Sequence, residues 1–145
     1  MTEHIDALKT LHTSLIDSRI GYEEALEDAD GKGLTPLFRE MIALRTRATD
    51  ELTPYLVALG ENVDKEGSFM STVHRTVISI QSVLTGLDES ILPGLIDGEN
   101  RVLKQYDAAI AQVLPGSSEY AILIKQREDL RIKIDTMQRR NVQAA

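Results

Sequence analysis

Residues 92–113 read LPGLIDGENRVLKQYDAAIAQV, and apolar residues recur in this stretch every three or four positions. That spacing places them on one face of an α-helix, which turns by about 100° per residue. The apolar face comprises Leu92, Leu95, Val102, Tyr106, Ile110 and Val113. Glu99 lies near the centre of that face. The stretch therefore predicts a helix that packs into a core and carries a carboxylate into it.

Four further segments show the same helical spacing, and the sequence contains no alternating strand pattern. We predict five helices in all, over about Thr2–Ala29, Thr35–Leu59, Ser68–Leu84, Ser90–Val113 and from Ser117 or Ser118 to about Arg140. Gly-containing turns such as residues 30–33 (DGKG) separate them, because Gly readily adopts the conformation that ends a helix. The chain is therefore expected to form a single all-α domain over residues 1–145.

The connections between these helices decide the predicted architecture. Short loops make sequence neighbours antiparallel, and the shorter helix from Ser68 to Leu84 then returns the chain to the end at which the second helix began. This order predicts a ferritin-like four-helix bundle of two antiparallel hairpins, joined by an additional helical crossover. The alternative is an irregular five-helix bundle without that symmetry.

Composition excludes several classes of protein. The chain has 145 residues, of which 42% are apolar and 27% charged, and this balance is typical of a soluble globular domain. It has no Cys, so disulfides, a thiolate nucleophile and Cys-ligated metal sites are excluded. A net charge of -7 argues against binding to nucleic acid or anionic membranes. The acidic N-terminal sequence does not resemble a signal peptide, so we expect a cytoplasmic protein.

Three charged residues fall on apolar faces at mid-bundle depth: Arg45, Glu99 and Arg127. An unpaired buried ion costs several kcal/mol, so these side chains are expected to pair. We predict a buried network in which Glu99 bridges Arg45 and Arg127, and such a cluster could also hold a small anion. The side chains expected to complete its hydrogen bonds are Glu23 and either Tyr22 or Tyr106. Alternatively, the arginines extend to the rim and Glu99 bonds to a tyrosine.

A di-metal centre of the ferritin-like class requires Glu-x-x-His on two helices. Residues 51–54 read ELTP and residues 128–131 read EDLR, so Pro and Arg stand where His is needed. We therefore expect no metal centre and no cofactor. The residues that could still bind iron, manganese or zinc in a degenerate site are Glu23, Glu51, His74 and Glu99.

Several short motifs resemble a bacterial family of uncharacterised ferritin-like four-helix-bundle proteins. They are residues 15–25 (LIDSRIGYEEA), 59–60 (LG), 67–68 (GS), 74–75 (HR), 84–86 (LTG), 98–99 (GE) and 114–115 (LP), with Tyr106 and Gln126. The resemblance implies a ferritin-like bundle of unassigned function that is associated with bacterial stress responses. The residues it matches to recurrent polar positions of the family are Asp17, Tyr22, His74, Glu99 and Tyr106. The family often has a His-Asp pair where this chain has Ile134 and Asp135, which weakens any metal role.

Three functions stay open at this point. The first is a non-catalytic structural or binding protein, expected to form a homodimer. The second is a degenerate ferritin-like metal-binding protein or oxidoreductase. The third is a carrier of a small ligand, anchored by Arg45 and Arg127. No phosphate-binding loop or nucleophile motif is present, so an enzyme is the less favoured of these classes.

Overall fold

The computed structural model describes residues 2–27, 33–61 and 89–144. Within these ranges the chain forms four α-helices and a short 3₁₀ turn: α1 (Thr2–Glu27), α2 (Thr35–Ala58), the turn Glu89–Ile91, α3 (Leu92–Gln112) and α4 (Ser118–Ala144). The described part of the chain contains no strand, so the all-α prediction is confirmed there. The helix predicted over Ser68–Leu84 lies outside the described residues.

The helices α1 and α2 form an antiparallel hairpin. Near the start of α1, Lys9 pairs with Glu61, just beyond the end of α2, at an Nζ–Oε2 distance of 3.2 Å. Near the end of α1, Tyr22 packs edge-on against Phe38 in the first half of α2, with ring centroids 4.8 Å apart. The turn reaches α2 through Gly33, whose φ of 62° lies in the left-handed region that glycine adopts without strain.

A second antiparallel hairpin consists of α3 and α4. The Tyr106 hydroxyl in the second half of α3 donates to Oε1 of Gln126, in the first half of α4, at 2.9 Å. At the other end, Arg140 of α4 pairs with Glu89 of the 3₁₀ turn at 2.9 Å. The tight turn between these helices contains Gly116, with a φ of 87°.

The two hairpins pack side by side, and α4 runs antiparallel to α2. Nε2 of Gln126 donates to the carbonyl oxygen of Ala48 at 3.2 Å, and Lys133 pairs at 2.9 Å with Glu40, about two turns nearer the start of α2. Because α3 is also antiparallel to α4, the helices α2 and α3 run parallel. The helix α2 therefore ends at one end of the bundle and α3 begins at the opposite end.

Leucines dominate the core between the helices, and each fully buried one contributes about 1.5–3 kcal/mol relative to an exposed side chain. Leucines that are almost fully buried include Leu8, Leu11 and Leu15 of α1, Leu52 and Leu56 of α2, Leu92 of α3, and Leu123 and Leu130 of α4. The buried polar residues include Arg45 of α2, Glu99 of α3 and Gln126 of α4, which lie at mid-height among these apolar layers.

Candidate functional site

Glu99 of α3 places a carboxylate in the bundle interior, where the residue is 3% exposed. The guanidinium that meets it belongs to Arg45 of α2, which is 1% exposed and whose Nη2 donates to Oε1 of Glu99. Moving either ion out of water is unfavourable, and the opposite charge in direct contact offsets that cost. The charges of Arg45 and Glu99 therefore compensate each other in the bundle interior.

The helix α1 supplies two further hydrogen bonds to this pair. The Tyr22 hydroxyl donates to Oε2 of Glu99, and Nε of Arg45 donates to Oγ of Ser18 at 3.2 Å. Burial raises the pKa of Tyr22 to about 12, although the positive charge of Arg45 lowers it in part. Tyr22 therefore stays protonated and able to donate at neutral pH. We call Tyr22, Arg45 and Glu99 the ionic cluster.

A second hydrogen-bonded group continues from α3 to α4 and back to α2. Gln126 accepts from the Tyr106 hydroxyl, and its Nε2 donates to the carbonyl oxygen of Ala48 and, at 3.0 Å, to Oε1 of Glu51. Burial raises the pKa of Tyr106 above its ordinary value, and the charge of Arg45 offsets part of this rise. We call Tyr106, Gln126 and Glu51 the glutamine bridge. Together with the ionic cluster it forms a polar layer that includes side chains from all four described helices.

A small cavity separates the two parts of the polar layer. Its volume, counted as the space open to the centre of a water molecule, is about 10 Å³. The residues that line it include Leu44, Arg45, Ala48, Glu51, Tyr106 and Gln126. The buried guanidinium of Arg45 and the glutamine bridge therefore face a common space between α2, α3 and α4.

Two residues predicted for the network lie elsewhere. Arg127 pairs with Asp107 across the outer surface of the α3–α4 hairpin, at 2.5 Å, so the prediction that Glu99 bridges Arg45 and Arg127 is wrong for Arg127. Its neighbour Gln126 points into the core instead, because adjacent residues on a helix differ by about 100° in direction. Glu23 also lies outside the network. It follows Tyr22 on α1, is exposed and pairs with Arg19 at 3.1 Å.

One buried polar residue of α1 was not predicted from the sequence. His12 is 3% exposed, and its Nε2 lies 3.0 Å from Oγ1 of Thr53. The Thr53 hydroxyl donates its one hydrogen to the carbonyl oxygen of Thr49 at 2.7 Å, so we infer that Nε2 of His12 is the donor to Thr53. Burial lowers the pKa of His12. The available signal was its position, four residues after Leu8 and next to Leu11 on the apolar face of α1.

The candidate metal ligands are not brought together in the part of the chain that the structure describes. Glu99 contacts Arg45, whose positive charge repels a cation, while Glu51 accepts from Gln126 and Glu23 pairs with Arg19. Among the described residues, no group of three or more His, Asp or Glu side chains has an arrangement that could hold a metal ion. His74 lies outside the described residues.

Comparison with protein families gives a match over most of the chain. The matching family model is described as "Domain of unknown function (DUF2383)", and it aligns with residues 3–112. The chain belongs to the DUF2383 family. The DUF2383 match includes the residues of the ionic cluster and Tyr106, and it ends before α4, which carries Gln126.

The family assignment carries no reaction with it, because the DUF2383 domain is uncharacterised. Neither the comparison with curated proteins nor that with solved structures found a match. Among the described helices of this DUF2383 protein, none is both long and apolar enough to span a membrane.

Proposed function

We propose that this DUF2383 protein is a non-catalytic, ferritin-like helical bundle in which the polar layer takes the place of a di-metal centre. The observation that carries the proposal is that both carboxylate oxygens of Glu99 are already hydrogen-bonded to side chains of the bundle. The donors are Tyr22 and Arg45. In the di-metal proteins of the class, inward-pointing carboxylates bind the metal ions, whereas here the carboxylate of Glu99 contacts the guanidinium of Arg45, whose charge repels a cation.

The helix order supports the ferritin-like part of the proposal. Bundles of this class consist of two antiparallel hairpins joined by one long connection, which leaves the second and third helices of the bundle parallel. In the described residues α2 and α3 run parallel, and each forms a hairpin with its other neighbour in sequence. An irregular five-helix bundle does not require α2 and α3 to run parallel.

The chemistry of the polar layer supports a non-catalytic role. Burial raises the pKa of both Tyr22 and Tyr106, so neither hydroxyl is a base at neutral pH, and Arg45 has no free electron pair to accept a proton. The cavity beside Arg45, at about 10 Å³, is far smaller than the several hundred Å³ of a typical ligand pocket. These properties favour a structural layer over an active site or a carrier of organic ligands.

Metal analysis tests the proposal against the degenerate metal-binding alternative. The purified protein is incubated with Fe²⁺, Mn²⁺ or Zn²⁺, freed of unbound metal and analysed for bound ions. We expect no stoichiometric metal. Stoichiometric binding that is lost in both Glu99→Gln and Glu51→Gln would contradict the proposal at the polar layer. Binding that is lost only in His74→Ala would establish the alternative at another site.

The proposal includes a homodimer located in the cytoplasm. Its support is the exposure of apolar side chains at the end of the bundle where α2 ends and α4 begins, namely Val57, Leu59 and Leu114. Clustered exposed apolar residues are typical of protein interfaces. Sedimentation equilibrium of the wild type and of Leu114→Ser tests this part. A monomeric wild type at all concentrations would contradict it.

The proposal also includes the association with bacterial stress that the family resemblance implies. A deletion strain compared with its parent under acid, oxidative and osmotic stress tests this part. We expect reduced survival under at least one of these conditions, restored by the wild-type gene. Equal survival under all of them would contradict the association without affecting the structural role of the polar layer.

A further inference from the structure

The cavity between α2, α3 and α4 has the size of one water molecule. Its volume of about 10 Å³ is close to the lower limit of about 10–15 Å³ that a buried water requires. Such a site also needs two to four polar partners. Arg45, Glu51, Tyr106 and Gln126 line the cavity, so the polar partners are present.

The hydrogen-bonding capacity of these side chains is not exhausted by their contacts with each other. The bonds from Arg45 to described residues use its Nε and Nη2, which leaves Nη1 as a donor. The Tyr106 hydroxyl donates to Gln126 and keeps a lone pair, and Glu51 accepts from Gln126 with one of its two oxygens. The residues that line the cavity thus offer a donor as well as acceptors.

The charges around the cavity select a neutral occupant. The positive charge of Arg45 is already matched by Glu99, and the carboxylates of Glu51 and Asp129 on the lining disfavour an anion. Arg45 and Arg47 on the same lining disfavour a metal cation. A molecule that both accepts and donates a hydrogen bond satisfies the walls without adding charge.

We propose that this cavity is a binding site for a single neutral, water-sized hydrogen-bonding molecule, occupied by water in aqueous solution. The bound molecule accepts from Nη1 of Arg45 and donates to Glu51 or to Tyr106. It thereby joins the ionic cluster to the glutamine bridge and makes the polar layer continuous. A buried water with such partners is an integral part of a fold and is unfavourable to remove.

The experiment fills the cavity from Ala48, which is buried on its lining. Magnetic relaxation dispersion of the solvent oxygen nucleus counts long-lived internal waters in the wild type and in Ala48→Val. A control, Ala108→Val, makes the same change at an exposed position of α3. We expect the count to fall by about one in Ala48→Val and to stay unchanged in the control. An equal count in all three proteins overturns the proposal.

A second readout compares Ala48→Val with Ala48→Thr, which has nearly the same shape and adds a hydroxyl. If a water binds here, the threonine hydroxyl replaces it, and the Tm of Ala48→Thr exceeds that of Ala48→Val. If the cavity holds no water, the order reverses, and this result overturns the proposal. Should Ala48→Val fail to fold, the smaller Ala48→Ser substitution takes its place in the water count, with the same expected loss.

Discussion

Nη2 of Arg45 donates to Oε1 of Glu99 although α2 and α3, which carry the two residues, do not pack directly against each other in the described part of the bundle. The pair crosses the diagonal of the bundle, with side chains only 1% and 4% exposed. A direct contact between two parallel helices that are not neighbours fixes how far one can slide relative to the other. A buried ion pair adds little net stability over an apolar pair of the same volume, but it can specify one register.

The Tyr22 hydroxyl is predicted to stabilise the fold through its bond to Glu99. Tyr22→Phe removes the donor to Oε2 and leaves a buried carboxylate oxygen without that partner. We expect a loss of about 1–3 kcal/mol in the free energy of unfolding, measured by urea denaturation. The matched control is Tyr55→Phe, because the half-buried Tyr55 has no hydroxyl bond to described residues. Equal effects of the two substitutions would show that the Tyr22 hydrogen bond contributes nothing.

The glutamine bridge gives a prediction that separates two adjacent positions of α4. Gln126→Leu removes the partners of Tyr106, of the Ala48 carbonyl and of Glu51, and should destabilise the protein by about 1–3 kcal/mol. Arg127→Gln removes an ion pair at the surface, which is worth about 0–1 kcal/mol. Urea denaturation of both variants measures the difference. A larger loss for Arg127→Gln would contradict the assignment of residue 126 to the polar layer.

His12 predicts that stability falls in mild acid. Burial, and to a smaller extent the charge of Arg19, lower its pKa in the folded state from the ordinary value of 6.5, while Thr49 partly opposes this. The unfolded chain therefore binds the proton more tightly than the folded protein does. Neutral His12 contributes its full stabilisation above about pH 6.5, and this stabilisation is lost as the pH falls below that value. Measured between about pH 7 and pH 5.5, the unfolding free energy should decrease.

The variant His12→Asn isolates the contribution of that histidine. It should show a smaller decrease over the same pH range than the wild type, because no imidazole at this position takes up a proton on unfolding. Thr10→Asn, at an exposed position of the same helix, should keep the wild-type decrease. Identical slopes for His12→Asn and the wild type would assign the pH dependence to other groups.

Helix positions were predictable because the apolar periodicity is strong. The helix predicted over Thr35–Leu59 is observed over Thr35–Ala58, and the one predicted over Ser90–Val113 is observed over Leu92–Gln112. The helix α4 begins at Ser118, one of the two predicted starts, and extends beyond the predicted end near Arg140 to Ala144. Of the two serines at the predicted start of α4, Ser117 caps the helix, since its Oγ accepts from the backbone N–H of Tyr120 at 3.1 Å. Local patterns of this kind depend on neighbouring residues alone.

The polar layer was predictable only in part. Arg45 and Glu99 stand out because a charge on a strongly apolar face has to be paired in the core. On α4 the apolar face is less sharply defined, and the difference between Gln126 and Arg127 is a rotation of about 100°. A long arginine at the edge of such a face can reach solvent, as Arg127 does towards Asp107. The partner of each side chain therefore depends on helix rotation, which periodicity alone does not determine.

A double-mutant cycle on Arg45 and Glu99 tests the central claim most directly. Arg45→Met and Glu99→Gln each leave a buried ion without its partner, so each should lower the free energy of unfolding by about 3–5 kcal/mol. The double variant leaves neither charge in place and should recover part of that loss. The surface pair Arg19→Met and Glu23→Gln serves as the control, with a coupling of about 0–1 kcal/mol. Urea denaturation of the four variants and the two double variants should give strong coupling for the buried pair, whereas additive losses for Arg45 and Glu99 would contradict the account.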